Sequence, residues 1–208
     1  MQKLDIEAKL SIVAVVIAAG VLVCLGHTGQ KVVLGSSTSS VVAATSLPLL
    51  PSDNNSQLTP DGTRKLLMKT ITSKNGAVTY IFTTTDWDGN NVAQIYTTTV
   101  PGSQIPTEGM TIPFNTWSPD NKYVFLQKNN GDALVFDATG QDIAPDQQYF
   151  DVAGIFNAAG KKDTYYETTG WASETLLIVN TLTPEGTKGS SYWFEVPSKA
   201  IIQLSTEF

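Results

Sequence analysis

Carboxylates are the side chains this sequence offers most readily for chemistry. Asp86, Asp88, Asp137, Asp142, Asp151 and Glu167 all fall in its C-terminal part. Two carboxyl groups flanking a glycosidic bond can hydrolyse it, one as acid and the other as base or nucleophile. Nothing in the spacing brings two of these six to that separation, and most stand in stretches that read as turns, where aspartate serves backbone geometry. The run Asp86-Trp87-Asp88-Gly89-Asn90-Asn91 alternates oxygen ligands as a calcium loop does. Set against the twelve-residue calcium loop, however, Asn91 falls where glycine is needed and Thr97 where the bidentate glutamate belongs. It reads as a turn between two strands.

Other chemistries lack their reagents. The sole cysteine, Cys24, lies inside an apolar N-terminal run, and the sole histidine, His27, lies just past it. Sites of the His/Cys zinc type and Ser-His-Asp or Cys-His nucleophiles therefore have no ligand or base in the presumed folded domain. No phosphate-cradling glycine loop, dinucleotide fingerprint or Gly-x-Ser-x-Gly elbow is present. No catalytic, cofactor-binding or metal-binding residue is assigned, and no cofactor is expected.

The 208 residues suffice for one sizeable core. Charged residues make up 15% of the chain and threonine occurs 26 times, which favours strands over helices. A net charge of -6, with no basic cluster longer than two residues, excludes a general affinity for nucleic acid.

Residues 10–25, LSIVAVVIAAGVLVCL, are apolar apart from Ser11 and would make about 24 Å of helix. With Gly26 this reaches the lower limit of about 17 residues for crossing a bilayer. The preceding MQKLDIEAK balances Lys3 and Lys9 against Asp5 and Glu7, unlike the positive leader of a cleaved signal peptide. The segment is therefore expected to stay as an anchor. This divides the chain into a cytoplasmic tail (1–9), a transmembrane signal anchor (10–26), a Ser/Thr/Gly linker (27–46) and a β domain (47–208). The β domain is expected outside the cytoplasm of a single-pass membrane protein.

The β domain repeats itself. Thr59-Pro60-Asp61-Gly62 and Ser118-Pro119-Asp120-Asn121 are the same turn, with proline presetting φ, aspartate at the third position and a residue tolerant of left-handed backbone at the fourth. Each precedes a strand-forming run, Arg64-Lys65-Leu66-Leu67-Met68 or Lys122-Tyr123-Val124-Phe125-Leu126, then a polar turn and another strand. A degenerate third copy opens at Trp171-Ala172-Ser173-Glu174, where Trp117 opened the second. Trp117 and Trp171 are expected between sheets. Trp87, Tyr165, Tyr166 and Trp193 would form a contact surface if they proved exposed together.

WSPDNKYVFLQKNNGDALVFDATG resembles the repeat of TolB-type and WD40-like β-propellers, also found in the propellers of dipeptidyl peptidase IV-like proteins. Those blades carry a Ser-Pro-Asp-Gly-Lys turn, a strand, an Asp/Gly/Asn turn and a strand ending in Asp-x-x-Gly. The likeness is good over 116–140, fair over 58–99 and poor over 170–204. It implies a mainly β fold, a propeller-like stack of about three antiparallel sheets behind one transmembrane helix, with a β-sandwich as the alternative. Propellers close with four or more blades, so another chain could supply the remainder, residues 140–170 could hide a fourth sheet, or the stack could stay open. The expected function is a non-catalytic binding or scaffold module of a cell envelope. Its partners would be the membrane, through the N-terminal helix, and a protein or glycan, with homo-oligomer formation as a further route. The alternatives are a carboxylate-based hydrolase of envelope polymers and a subunit that completes a propeller by self-association.

Overall fold

Twelve strands build the fold of residues 55–204, the part of the chain that the computed structural model describes. They form three antiparallel four-stranded sheets, each a simple meander. The first contains β1 (Ser56–Leu58), β2 (Arg64–Thr72), β3 (Val78–Asp86) and β4 (Ala93–Val100). The second contains β5 (Met110–Thr111), β6 (Tyr123–Lys128), β7 (Ala133–Asp137) and β8 (Tyr149–Asp151). The third contains β9 (Thr164–Trp171), β10 (Leu176–Leu182), β11 (Tyr192–Glu195) and β12 (Ala200–Gln203). Among the described residues the sheets close no barrel, and no helix is long and apolar enough to cross a membrane. The expected tail, anchor and linker (1–46) lie outside the described residues.

The second sheet is buried on both faces. Val124, Leu126, Leu134 and Phe136 join one core with Leu66, Tyr80, Phe82 and Ile95 of the first sheet. Phe125, Ala133, Val135 and Phe150 join another with Leu177, Val179, Tyr192 and Phe194 of the third. This explains the composition of the strands. The middle sheet needs continuous apolar runs, YVFL and ALVF, because both of its faces leave water. Strand β10 has a single covered face and alternates half-buried with buried residues along its length.

The three corners occupy the same place, the hairpin into the second strand of each sheet. Leu58 pairs across it with Lys65, Trp117 with Val124 and Trp171 with Leu177. Two glycines permit close approach between sheets. At Gly131 (φ 95°) an added Cβ would sit 2.7 Å from the Tyr166 carbonyl oxygen, and at Gly140 (φ 79°) 2.6 Å from that of Gln94. Gly140 ends the Asp-x-x-Gly run, so that motif marks the contact of the second sheet with the first.

Residues 140–170 hold no fourth sheet. They supply β8 to the second sheet, most of β9 to the third, and between them the helix Val152–Ala158. Asp151 caps this helix by accepting from the Gly154 amide at 3.0 Å, and Phe156 packs against Tyr165 and Tyr192 to seal the second core.

Trp117 and Trp171 each fasten their sheet to the one before. Trp117 Nε1 donates to the Gln57 carbonyl at 3.2 Å, and Trp171 Nε1 to the Thr116 carbonyl at 3.1 Å. Replacing either by phenylalanine keeps most of the ring but leaves a shielded carbonyl without its donor. Trp117→Phe and Trp171→Phe should each lose about 1–3 kcal/mol in urea unfolding followed by circular dichroism. Because the carbonyl that Trp171 caps belongs to the Thr116–Trp117 peptide bond, the two junctions are coupled, and the double variant should depart from the sum by about 0.5 kcal/mol or more.

Candidate functional site

The first corner is held by its own side chains. Thr59 Oγ1 donates to Asp61 Oδ1 at 2.7 Å, the Thr63 amide donates to the same oxygen at 3.0 Å, and the Arg64 amide donates to Thr59 Oγ1 at 3.0 Å. The second corner repeats the set with Ser118 Oγ on Asp120 Oδ1 (2.7 Å), the Lys122 amide on Asp120 Oδ1 (3.2 Å) and the Tyr123 amide on Ser118 Oγ (2.9 Å). Asn121 adopts φ 61° as the turn demands, and its side-chain amide donates to Asp61 Oδ2 at 2.8 Å, joining the two corners. Arg64 completes the joint. Its guanidinium donates to the Ala138 carbonyl at 2.8 Å and the Asn121 carbonyl at 3.3 Å, and lies 5.4 Å from the Trp117 ring centroid.

These donors set the charge of the two aspartates. Hydrogen bonds from Thr59 and then Thr63 hold the Asp61 carboxyl well below its ordinary value of 3.8. Burial pushes Asp120 upward, but donation from Ser118 and Lys122 outweighs it and leaves this carboxyl below 3.8 as well. Lys122 Nζ stands 3.1 Å from Asp120 Oδ2.

Beside the corners the first-strand edges of the three sheets frame a cleft of about 690 Å³. Its walls are Leu58, Pro60, Phe114, Trp117, Pro119 and Trp171, with Asn115 among the few polar groups. Phe114 is 84% exposed, the most exposed of the large apolar side chains described. Trp171 is held flat against Tyr123, with centroids 6.1 Å apart and planes 17° apart. An aromatic, proline-lined trough without a charged side chain can hold an extended apolar segment or the flat face of a sugar.

The six carboxylates raised by the sequence do not gather here. Asp86 and Asp88 share the β3–β4 turn, where Asp86 accepts from the Asn91 side-chain amide (2.6 Å) and Asp88 from that of Asn90 (2.8 Å). Asp137 accepts from the Thr139 amide at 2.8 Å, Asp142 is exposed, Asp151 caps its helix, and Glu167 accepts from Asn180 at 3.3 Å. Among the described residues no group of three or more His, Cys, Asp or Glu could hold a metal ion.

The four aromatics expected to share a surface are dispersed. Trp87 is exposed at the β3–β4 turn, and Tyr166 is exposed on β9. Tyr165 points into the second core, where burial raises its hydroxyl above the ordinary value of 10 and keeps it a donor to the Gly131 carbonyl at 3.0 Å. Trp193 is half-buried on the far side of the third sheet. Trp117 and Trp171 lie between sheets, as their positions predict, and also wall the cleft. Phe114, Asn115 and Arg64 escaped the sequence reading. Phe114 stands three residues before Trp117 in PFNTW, a run whose apolar members belong to no strand pattern, and that was the available signal.

A scan against protein-family models finds no match to this chain, and a search of curated proteins finds none either.

The corner carboxylates predict an acid response. Both have folded-state pKa values below 3.8, so their contribution to stability is complete above that value and is lost as pH falls below about 4. Asp61→Asn/Asp120→Asn should lower the urea midpoint at pH 7 and flatten its decline between pH 4 and 2. Equal declines in the variant and the parent would show that these groups do not carry the acid sensitivity.

Proposed function

We propose that this chain is a membrane-anchored, extracytoplasmic binding or scaffold module of a cell envelope, built on consecutive propeller-like blades, and that it works by surface recognition. The observation that carries the reading is the cleft at the first-strand edges, where Phe114, Trp117 and Trp171 converge with Pro60 and Pro119. Rigid aromatic and proline side chains lose little conformational entropy on binding, and an exposed ring such as Phe114 gains contact without unfolding anything.

The blade reading has separate support. Each sheet is a four-stranded meander whose first hairpin carries the corner, and the corner hydrogen bonds of the first sheet recur in the second. In such an arrangement, first-strand edges line the middle of the stack, where ligands of propellers gather. The expected partner is an extended protein segment or a glycan chain, and the chemistry is contact alone. The anchor is the apolar run at 10–26, which would hold the β domain beside the membrane.

Trp117 and Trp171 serve as built-in reporters. Titrating the full chain with a proline-rich peptide and, separately, with cell-wall oligosaccharide fragments should change tryptophan fluorescence saturably with one of them. Phe114→Ala should weaken that ligand about tenfold with the fold intact by circular dichroism. Silence with both ligands, or an unchanged affinity in the variant, would sink the reading.

A further inference from the structure

Both junctions inside the chain obey one rule. The residue across the corner hairpin from the second strand, Trp117 or Trp171, donates its indole N–H to the preceding sheet just before that sheet's corner, at Gln57 or Thr116. Its ring then lies against the first residue of the preceding sheet's second strand, Arg64 or Tyr123. Two positions are left without counterparts. Leu58 occupies the tryptophan position of the first sheet, has no sheet before it in the described residues, and is 55% exposed. Leu176 occupies the Arg64 and Tyr123 position of the third sheet and has no following tryptophan.

The faces that carry these two residues complement each other. Strand alternation turns Leu58, Lys65, Leu67, Lys69, Ile71 and Ile81 outward from the first sheet, away from its core residues Leu66, Tyr80 and Phe82. No carboxylate of that sheet points the same way. The third sheet turns Leu176, Ile178, Trp193 and Ile202 outward, together with Glu167 and Glu195. Ile178, Trp193 and Ile202 lie side by side across three strands and form an apolar stripe, half-buried at Ile178 and Trp193 and exposed at Ile202. The first face therefore sets two lysines among aliphatic side chains and the threonines Thr79, Thr83, Thr97 and Thr99, and the other sets two carboxylates among apolar ones, with Lys188 opposite Leu182 at its far end.

We propose that the outer face of the third sheet docks on the outer face of the first sheet of a second copy, Leu58 of one chain against Leu176 of the other, so that two chains close a six-sheet ring. The contact is head-to-tail, and a head-to-tail contact closes when its rotation permits. Rings of stacked four-stranded sheets hold four to eight of them, and six is the only multiple of three sheets in that range. The register follows from the internal junctions, in which the first strand of one sheet overlies the second strand of the sheet before. With Leu58 over Leu176, Lys65 on β2 comes over β11 at Glu195, because Lys65 stands across from Leu58 and Glu195 across from Leu176. An apolar pair then replaces the ring stacking of the internal junctions, and an ion pair flanks it. This assembly rests on the stacking of the sheets; Leu58 also walls the cleft, so the Lys65 and Glu195 charge reversals, which lie outside it, tell the two readings apart.

Cross-linking tests it in the full chain. With Cys24→Ser as background, Leu58→Cys/Leu176→Cys should give a disulfide-linked pair of chains under mild oxidation, and either single variant should not. Within one chain the two positions turn to opposite outer faces, and a disulfide does not form between Cβ vectors that point apart. Light scattering of the detergent-solubilised parent should give the mass of two chains. Lys65→Glu should shift it to one chain, and adding Glu195→Lys should restore two, with near-ultraviolet circular dichroism unchanged throughout. A parent that stays a single chain, a pair indifferent to both the cysteines and the charge reversal, or a ladder of higher multiples would each overturn the two-chain ring.

Discussion

The structure depends on how one tryptophan per junction docks on the sheet before it. The indole does two things at once. Its N–H satisfies a carbonyl at the first-strand edge, and its ring covers the start of the second strand, with Arg64 under Trp117 and Tyr123 under Trp171. A sheet edge exposes unpaired backbone groups that template unwanted pairing. Here a side chain from the next sheet occupies that edge, so protecting the edge and stacking the sheets become the same contact. The corners fix where this contact falls, because their hydrogen bonds set the turn into each second strand.

Burial then follows unevenly. The second sheet contributes to both cores and is the most apolar of the three, whereas the outward side of the first sheet sets Thr79, Thr83, Thr97 and Thr99 among its lysines and aliphatic side chains, facing away from Tyr80 and Phe82. Threonine suits such a face, since its branched Cβ fits the pleat and its hydroxyl finds partners, as Thr79 does with Thr99 at 2.8 Å. Polar side chains also cross the junctions. Thr84 Oγ1 donates to the Ala138 carbonyl at 2.8 Å and Gln148 to the Ile95 carbonyl at 3.0 Å, so register between sheets is set by directional bonds as well as by packing.

This economy decides what is left for function. The aspartates that invite a catalytic or calcium reading are occupied in turns and caps, or stand apart from one another in solvent. The groups that remain uncommitted are apolar: Phe114 and the proline-flanked cleft at the inner edges, and the stripe on the third sheet's outer face. A molecule whose free surface is aromatic and aliphatic at the points where its sheets meet is suited to holding other chains.

The two parts of the architecture differ in how far they could be read from sequence. The twin corners were legible because their cause is local: Pro60 and Pro119 preset one dihedral, Asn121 and Gly62 accept a positive one, and Thr59 or Ser118 closes the turn within five residues. The unbroken runs YVFL and ALVF were legible as strands, but that both faces of their sheet leave water emerged only from the stacking. Nothing local shows that Phe114 would stand beside Trp171, or that Arg64 would lie under Trp117. Sequence by itself determined the turns, the strands and the threefold repeat, since each rests on backbone preferences spanning a few residues. Only the tertiary structure decided the cleft and the junctions, because they arise where side chains about fifty or sixty positions apart meet, and such meetings depend on how whole sheets stack.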